Sequence, residues 1–99
     1  MTEERRANER VAVNLQIRWD GHSGLHEARI EDISLGGCFV NSTDRVVIGE
    51  FITLEIKMPN GEMLLLRGVV ASYHELIGFG VLFTFLTDEE EFTIRQITG

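Results

Sequence analysis

The stretch VAVNLQIRW at residues 11–19 decides the fold class, because apolar and polar side chains alternate along it. A period of two places one set of side chains against a core and the other set in water, which indicates a half-buried β-strand. The segment DGHSG at residues 20–24 follows and predicts a hairpin connection. Residues 25–32 continue as a second strand, so we expect the chain to begin with an antiparallel hairpin.

Four more strand segments follow at similar spacing. They are expected at residues 38–40, 51–56, 63–73 and 77–86. The segment MPNG at residues 58–61 predicts a turn, because proline presets φ and glycine adopts a positive φ. Gly68 interrupts the fifth strand and predicts a bend or a bulge there. Leu64 and Leu66 in the same strand suit either the core or an interface.

Six short antiparallel strands at this spacing are typical of a β-barrel or a β-sandwich. A barrel leaves no exposed strand edge, which a chain of only 99 residues would otherwise have to protect. We therefore predict an all-β fold, a six-stranded antiparallel β-barrel.

The end of the chain predicts a short C-terminal α-helix at residues 88–97. Thr87 and Glu90 fit a capping box, in which each side chain accepts a hydrogen bond from the backbone N–H of the other residue. Phe92 and Ile97 are expected to face the barrel.

The composition is that of an ordinary folded domain. A hydrophobic fraction of 43% and a charged fraction of 25% are close to the average for globular domains, and 99 residues suffice for one core. No apolar run approaches the ~20 residues that a membrane helix requires, and the N-terminus lacks the apolar stretch of a secretory signal. The single cysteine, Cys38, excludes an internal disulfide, so we expect a cytoplasmic setting. The initial Met1 favours a free-standing protein.

The charge distribution limits the classes of ligand and partner that the protein can bind. A net charge of −7 argues against binding to nucleic acid polymers or to anionic membrane surfaces, because both need a dominant positive field. Eight of the nine basic residues are arginines, however, and Arg5, Arg6 and Arg10 lie within the first ten positions. The planar guanidinium binds phosphates and flat acceptor edges through paired hydrogen bonds. This cluster is therefore compatible with a small anionic ligand, whereas composition alone favours a solvated tail.

The sequence contains no arrangement typical of a catalytic centre. His22, His26 and His74 lack HExxH-type spacing, although the first two flank one turn and make a metal site there conceivable. Cys38 lies in an apolar strand and is interpreted as a small core residue rather than a nucleophile. We therefore expect no enzymatic activity, no cofactor and no metal.

The segment DISLGG at residues 32–37 permits two interpretations. Asp32 and Ser34 ahead of two glycines can form side-chain-to-backbone hydrogen bonds that close a loop. Alternatively, Asp32 accepts a hydrogen bond from a base N–H, and Ser34 bonds to a base or a phosphate. A glycine would then let a flat ligand approach the backbone.

Two motifs in the chain carry a resemblance to a known family. Residues 6–10, RANER, have the RxxxR form, and residues 32–37 have the [D/N]xSxxG form. Together they resemble the PilZ domain family. The first strand and the late segment GFGVLF at residues 78–83 are also similar to barrel strands of the family. The resemblance extends from about Glu4 to the terminal helix, and no motif position departs from the family pattern.

The resemblance implies a six-stranded barrel with a C-terminal helix that binds the bacterial second messenger cyclic di-GMP. Arg6 and Arg10 would clamp phosphates and guanine edges. Asp32 and Ser34 would hold guanine, and the glycines after them would shape the loop. Arg5 would accompany the binding of a stacked pair of ligand molecules. The site residues implied in this way are Arg5, Arg6, Arg10, Asp32, Ser34, Gly36 and Gly37.

The resemblance also implies separate roles for two parts of the chain. Residues 1–10 would form a flexible Arg-rich arm that binds the ligand, and residues 11–99 would form the barrel domain with its helix. The arm would become ordered around cyclic di-GMP, and the protein would signal to an effector protein. The alternatives are a ligand-independent PilZ-type interaction module and an oligonucleotide-binding barrel. The intact motifs disfavour the first, and the single lysine with the negative net charge disfavours the second.

Overall fold

The chain folds into a closed β-barrel with a helix at its C-terminal end. The computed structural model describes residues 9–98. Its elements in chain order are β1 (Val11–Gly21), β2 (Gly24–Ile33), β3 (Gly37–Asn41), β4 (Phe51–Lys57), β5 (Met63–His74), β6 (Gly78–Thr84) and α1 (Asp88–Thr98). The strands pair antiparallel in the order β1-β2-β3-β6-β5-β4, and β4 closes the barrel onto β1. This architecture confirms the predicted fold class.

The β1–β2 hairpin is tighter than the sequence predicts. Gly21 pairs with Gly24, so His22 and Ser23 alone form the connection instead of residues 20–24. Gly24 has a φ of 105°, a left-handed conformation that glycine adopts without steric cost. The two-residue turn fixes the register of the hairpin as far as the pair Leu15 and Ile30, beyond which the register shifts between Leu15 and Ala12.

The inward-facing residues fill the barrel with apolar side chains. Trp19 is fully buried, and its indole meets the ring of Phe79 edge to face with the centroids 5.2 Å apart. Leu64 and Leu66 both point inward and are buried, whereas Leu65 between them is exposed. The alternation along β5 therefore assigns both leucines to the core and not to an interface.

Gly68 does not form a bend or bulge, contrary to the prediction. It pairs in regular register with Phe83 on β6, and the irregularity of β5 falls between Val70 and Ser72 instead. A Cβ atom at Gly68 would lie 2.4 Å from Cγ1 of Val81. The glycine is thus explained by the close approach of two strands and not by a break in pairing.

The transition from β6 to α1 differs from the prediction at its start and agrees with it at the cap. Phe85 has a φ of 54°, so the extended pairing ends at Thr84 and not at residue 86. The Thr87 N–H donates to Oε1 of Glu90 at 3.0 Å, and the Glu90 N–H donates to Oγ1 of Thr87 at 3.1 Å. These reciprocal bonds confirm the predicted capping box.

The helix packs on the barrel through Ile94 and Ile97. Ile94 is fully buried and Ile97 packs against the core, which confirms the prediction for Ile97. Phe92 is 64% exposed, so the prediction for that residue is wrong. Residues three apart share a helix face, whereas Phe92 lies about 200° around the helix from Ile94. Within residues 9–98, no helix is long and apolar enough to cross a membrane.

Candidate ligand-binding site

The pairing of β1 with β2 brings the two sequence motifs together. Ala12 lies opposite Asp32, so Arg10, just before β1, stands beside that carboxylate. The Arg10 Nη1 donates to Oδ1 of Asp32 at 2.5 Å, across a sequence separation of 22 residues. Arg5 and Arg6 lie outside the described residues, so Arg10 is the one arginine of the basic cluster whose position is known.

A β-bulge at Glu31 turns Asp32 towards the surface. Along β2 the even-numbered residues face inward as far as Ile30, which is fully buried. The register against β3 shifts between Ile30 and Asp32, so one extra residue is accommodated there. The shift exchanges the two faces: the Asp32 side chain is 28% exposed, and Ile33 is buried in the core. Strict alternation would have placed the carboxylate inside the barrel.

Ser34 is committed to the loop that follows β2. It is buried, and its Oγ accepts the backbone N–H groups of Gly36 at 3.1 Å and of Gly37 at 3.2 Å. The Ser34 N–H in turn donates to the Gly37 carbonyl at 2.8 Å. The hydroxyl therefore closes the loop through side-chain-to-backbone hydrogen bonds, as the first of the two interpretations of this segment describes.

The two glycines of the segment hold the loop against β6 through one hydrogen bond and one close backbone contact. The Gly36 carbonyl accepts the N–H of Phe83 at 2.9 Å. A Cβ atom at Gly37 would lie 1.9 Å from the Val81 carbonyl oxygen, so no side chain fits at this position. The loop is thus rigidly seated on the neighbouring strand, directly after Asp32.

Cys38 follows the loop and has no exposed surface. Burial, followed by the nearby charge of Asp32, raises the pKa of the Cys38 thiol from 9.0 to about 12. A thiol that stays protonated and inaccessible is neither a nucleophile nor a ligand. This placement confirms the interpretation of Cys38 as a core residue.

The histidines serve local contacts in the structure. His26 stacks on the core residue Trp19 with the ring centroids 4.4 Å apart, and its Nε2 lies 2.7 Å from Oγ of Ser23. The His22 N–H donates to the carboxylate of Glu50 at 2.9 Å. Within residues 9–98, no group of three His, Cys, Asp or Glu side chains is arranged to hold a metal ion.

Phe39 is a candidate site residue that the sequence analysis missed. It lies opposite Asp32 on β3 and points outward, because Cys38 and Val40 on either side are fully buried. A Cβ atom at Gly78 would lie 2.8 Å from the Phe39 ring, so the ring lies over a strand position without a side chain. The segment GFGV, with glycines at alternate positions, carried the signal, since it leaves one face of β6 bare.

The site combines hydrogen-bond donors and acceptors with a flat apolar ring. The guanidinium of Arg10 has five N–H donors, and its contact with Asp32 uses one of them. The carboxylate keeps a second oxygen as an acceptor. Phe39 pairs with Asp32 across β2 and β3, and its aromatic ring lies over Gly78 on the neighbouring strand β6, on the outer face of the barrel. Such a site suits a planar ligand that carries donors, acceptors and negative charge.

The sequence and the fold were compared with known proteins. The family model of the PilZ domain matches residues 4–99. The search of the curated proteins gave no match. Among solved structures, the PilZ domain of CeSA from a cellulose-synthesizing bacterium superposes with a TM-score of 0.71 and 17% identity, over 92% of this chain and 95% of that chain.

Two longer proteins contain a similar fold. The inhibitor of motility MotI/DgrA of Bacillus subtilis gives a TM-score of 0.73 with 16% identity, over 90% of this chain and 46% of that chain. PlzA of Borreliella burgdorferi, solved in complex with c-di-GMP, gives a TM-score of 0.65 with 16% identity, over 100% of this chain and 38% of that chain. Identities this low establish the fold alone. The family model covers almost the whole chain, however, and the protein therefore belongs to the PilZ domain family.

Proposed function

We propose that this protein is a receptor for cyclic di-GMP that passes the signal to a partner protein and catalyses no reaction itself. Membership of the PilZ domain family supports the proposal, as does the c-di-GMP complex of the structurally similar PlzA. The observation that carries it is the contact between Arg10 and Asp32, because it joins the two motifs at one surface position. The buried, unpaired Cys38 suits a reducing compartment such as the bacterial cytoplasm.

Arginine and aspartate match the two edges of a guanine base. Guanine presents O6 and N7 as a double acceptor, which the fork of an Arg guanidinium fits. Its N1–H and N2–H donors require an acceptor, and Asp32 supplies one. Arg6 and Arg10 would divide the phosphates and the guanine edges between them, and Arg5 would assist a second, stacked ligand molecule.

The loop residues would act by fixing the backbone and not by contacting the ligand. Ser34, Gly36 and Gly37 would hold the backbone after Asp32 in one conformation, so that the carboxylate keeps its direction when a ligand binds. The exposed face of Phe39 would offer a stacking surface for a purine. Residues 1–10 would act as an arm that closes over the ligand, which is the step that a partner protein would detect.

One observation favours the alternative of a ligand-independent interaction module. Arg10 and Asp32 are already paired through one contact, so a ligand must compete with their mutual attraction. Both side chains are partly exposed, with 51% and 28% of their surface accessible, and exposed ion pairs contribute only about 0–1 kcal/mol. This cost is small beside the ~1.5–3 kcal/mol of a hydrogen bond to a charged group. The balance therefore favours ligand binding.

Calorimetric titration of arginine variants tests the proposal. Arg6→Ala and Arg10→Ala should each weaken cyclic di-GMP binding by roughly 10- to 150-fold, since each removes a charge-assisted hydrogen bond of ~1.5–3 kcal/mol. Arg45→Ala is the matched control, because it removes one positive charge from a side chain that is 85% exposed, pairs with Glu75 and belongs to neither motif. Affinities that stay the same in the Arg6 and Arg10 variants, or that fall equally in the Arg45 variant, would contradict the assignment.

A further inference from the structure

An apolar surface, here called the apolar face, lies on the outer side of β4, β5 and β6. It consists of Phe51, Val69, Leu82 and Phe85. The first three form one row across the strands, because Phe51 pairs with Val69 and Val69 pairs with Leu82. Phe51 is 72% exposed, Leu82 54% and Phe85 87%. The row continues to Gly37 on β3, so this face borders the loop of the proposed nucleotide site.

Phe85 is held in a fixed and unusual conformation at the edge of this face. Its φ of 54° is in the left-handed region, which an aromatic residue rarely adopts. Nη2 of Arg67 donates both to the Phe85 carbonyl at 2.9 Å and to Oε1 of Glu90 at 3.1 Å. The backbone that presents the ring is thus tied to the sheet and to α1. A depression of about 470 Å³ lies between this ring, Phe51 and Asp20.

The exposed area matches the largest apolar patches of typical monomers and is too small for an obligate interface. If an aromatic side chain covers ~200 Å², the apolar face leaves on the order of 400 Å² of apolar surface in water. Patches of about 300–600 Å² are the largest on typical monomers and are often functional. A standard interface buries about 800 Å² per partner around aromatic anchors, and obligate dimers bury more. The face therefore has the size of the central part of a transient interface.

The charges around the apolar face are negative. Asp20 on β1 lines the depression together with Phe51 and Phe85, and Asp88 begins α1 three residues after Phe85. Both carboxylates are exposed, and no ion pair involves them within residues 9–98. Arg67, which lines the same depression, is paired with Glu90. The rim therefore attracts cations and repels anions.

This rim excludes several occupants. A second copy of the chain would place the same acidic rim against itself, and the whole molecule carries a net charge of −7. An anionic lipid surface would be repelled for the same reason. The Arg-rich residues 1–10 have the right charge, but Met1 is their only large apolar side chain, so they cannot fill a face with two exposed aromatic rings.

We propose that the apolar face is the docking site for a segment of a partner protein that carries bulky apolar side chains flanked by lysine or arginine. The apolar side chains would pack on Phe51 and Phe85, and the flanking cations would meet Asp20 and Asp88. This proposal goes beyond nucleotide recognition and does not depend on it, because no residue of the apolar face belongs to either motif.

A defined peptide tests the docking site in the absence of nucleotide. The probe is a fluorescein-labelled 14-residue peptide of leucine and lysine in an amphipathic helical pattern, and its binding is followed by fluorescence anisotropy. A second peptide has glutamate in place of lysine. The test variants are Phe85→Asn and Phe51→Thr. Leu76→Asn is the matched control, because Leu76 is likewise exposed, at 71%, and likewise has a positive φ, of 65°, but lies in the β5–β6 turn.

The Leu76→Asn control separates a loss of docking from the effect of backbone strain. Asparagine tolerates the left-handed conformation, so Phe85→Asn and Leu76→Asn change the backbone energy in the same way. We expect the basic peptide to bind the wild type and the Leu76 variant equally, and the Phe85 and Phe51 variants at least about tenfold more weakly, as for an aromatic anchor. The acidic peptide should not bind.

Three results would overturn the proposal. The first is an affinity that none of the variants changes or that Leu76→Asn lowers as much as Phe85→Asn. The second is equal binding of the acidic and basic peptides. The third is a concentration-dependent dimer in sedimentation velocity that Phe85→Asn abolishes, since that would identify a second copy as the occupant. Thermal unfolding of each variant establishes that it is folded, and Phe51→Thr keeps the test decisive if Phe85→Asn is not.

Discussion

Replacing Gly37 with alanine should destabilise the barrel through packing, before any effect on a ligand is considered. The added Cβ would lie 1.9 Å from the Val81 carbonyl oxygen and 3.0 Å from its carbonyl carbon. Carbon–oxygen contacts normally require about 3.3 Å, so the loop or β6 must move by more than ~1 Å. Overpacking costs about 1–3 kcal/mol and sometimes more. Because the obstacle is a backbone atom that cannot rotate away, we expect a loss of about 3 kcal/mol or more.

Urea unfolding followed by fluorescence of Trp19, the chain's single tryptophan, measures this loss. Gly61→Ala is the control, because Gly61 has a φ of 92° but no atom within 4 Å of an added Cβ. Its cost is limited to the ~1–2 kcal/mol of a left-handed non-glycine residue. With a urea dependence of ~2 kcal/mol per molar, the midpoint should fall by about 1.5 M or more for Gly37→Ala and by about 0.5–1 M for Gly61→Ala.

A free energy of unfolding for Gly37→Ala within about 0.5 kcal/mol of the wild-type value, the range of ordinary surface substitutions, would contradict this prediction. A larger loss of stability for Gly61→Ala than for Gly37→Ala would contradict it as well. Either result would mean that the loop is not seated on β6 as closely as the contact between Gly37 and Val81 requires.

Two further predictions concern groups inside the barrel. Glu50→Ala should cost at least about 2 kcal/mol in urea unfolding, because the buried Glu50 carboxylate accepts the N–H groups of His22 and Val47 and both would lose their partner. The pKa of Cys38 is raised from 9.0 in the unfolded chain to about 12, so above pH 9 the unfolded chain releases a proton that the folded protein retains. The free energy of unfolding should therefore be unaffected by this group below pH 9.0 and fall as the pH rises from 9.0 towards 12, relative to a Cys38→Ala variant. Parallel slopes for the two proteins above pH 9 would contradict the assignment.

The fold followed from the sequence wherever alternation was regular. In β1 each apolar residue from Val13 to Trp19 turns inward, as the period of two predicts. The same reasoning could not locate the bulges, since an extra residue changes the facing of every residue after it without changing the composition. Asp32 is exposed and Ile33 buried only because of the bulge at Glu31, which a single sequence does not reveal.

Local sequence pattern also gave wrong predictions for one glycine and one helix residue. A glycine within a strand often marks a bend or a bulge, which is the basis of the prediction for Gly68, but the role of Gly68 depends on Val81 in another strand. Phe92 was placed towards the barrel because it is apolar, yet the direction of the helix is set by Ile94 and Ile97. Such contacts join residues that are distant in the chain or depend on helix orientation, so local pattern alone did not predict them.

The candidate site followed from motif resemblance more than from local chemistry. Separate inspection of Arg10 and Asp32 does not show that they meet, because their contact depends on the register of the β1–β2 hairpin. Ser34 illustrates the reverse case, in which the ordinary structural interpretation of a motif residue describes its contacts. The segment GFGV contained a signal for the bare face beside Phe39 that the sequence analysis had used only as a barrel strand.

Calorimetric titration of the wild-type protein with cyclic di-GMP, with GTP and cyclic di-AMP as controls, tests the central claim most directly. We expect selective binding of cyclic di-GMP with a dissociation constant of about 1 µM or below, which corresponds to a binding free energy near −8 kcal/mol. A stoichiometry of two would support the role proposed for Arg5. A folded protein that releases no heat with cyclic di-GMP at several temperatures, or binds GTP equally well, would contradict the account and favour the ligand-independent interaction module.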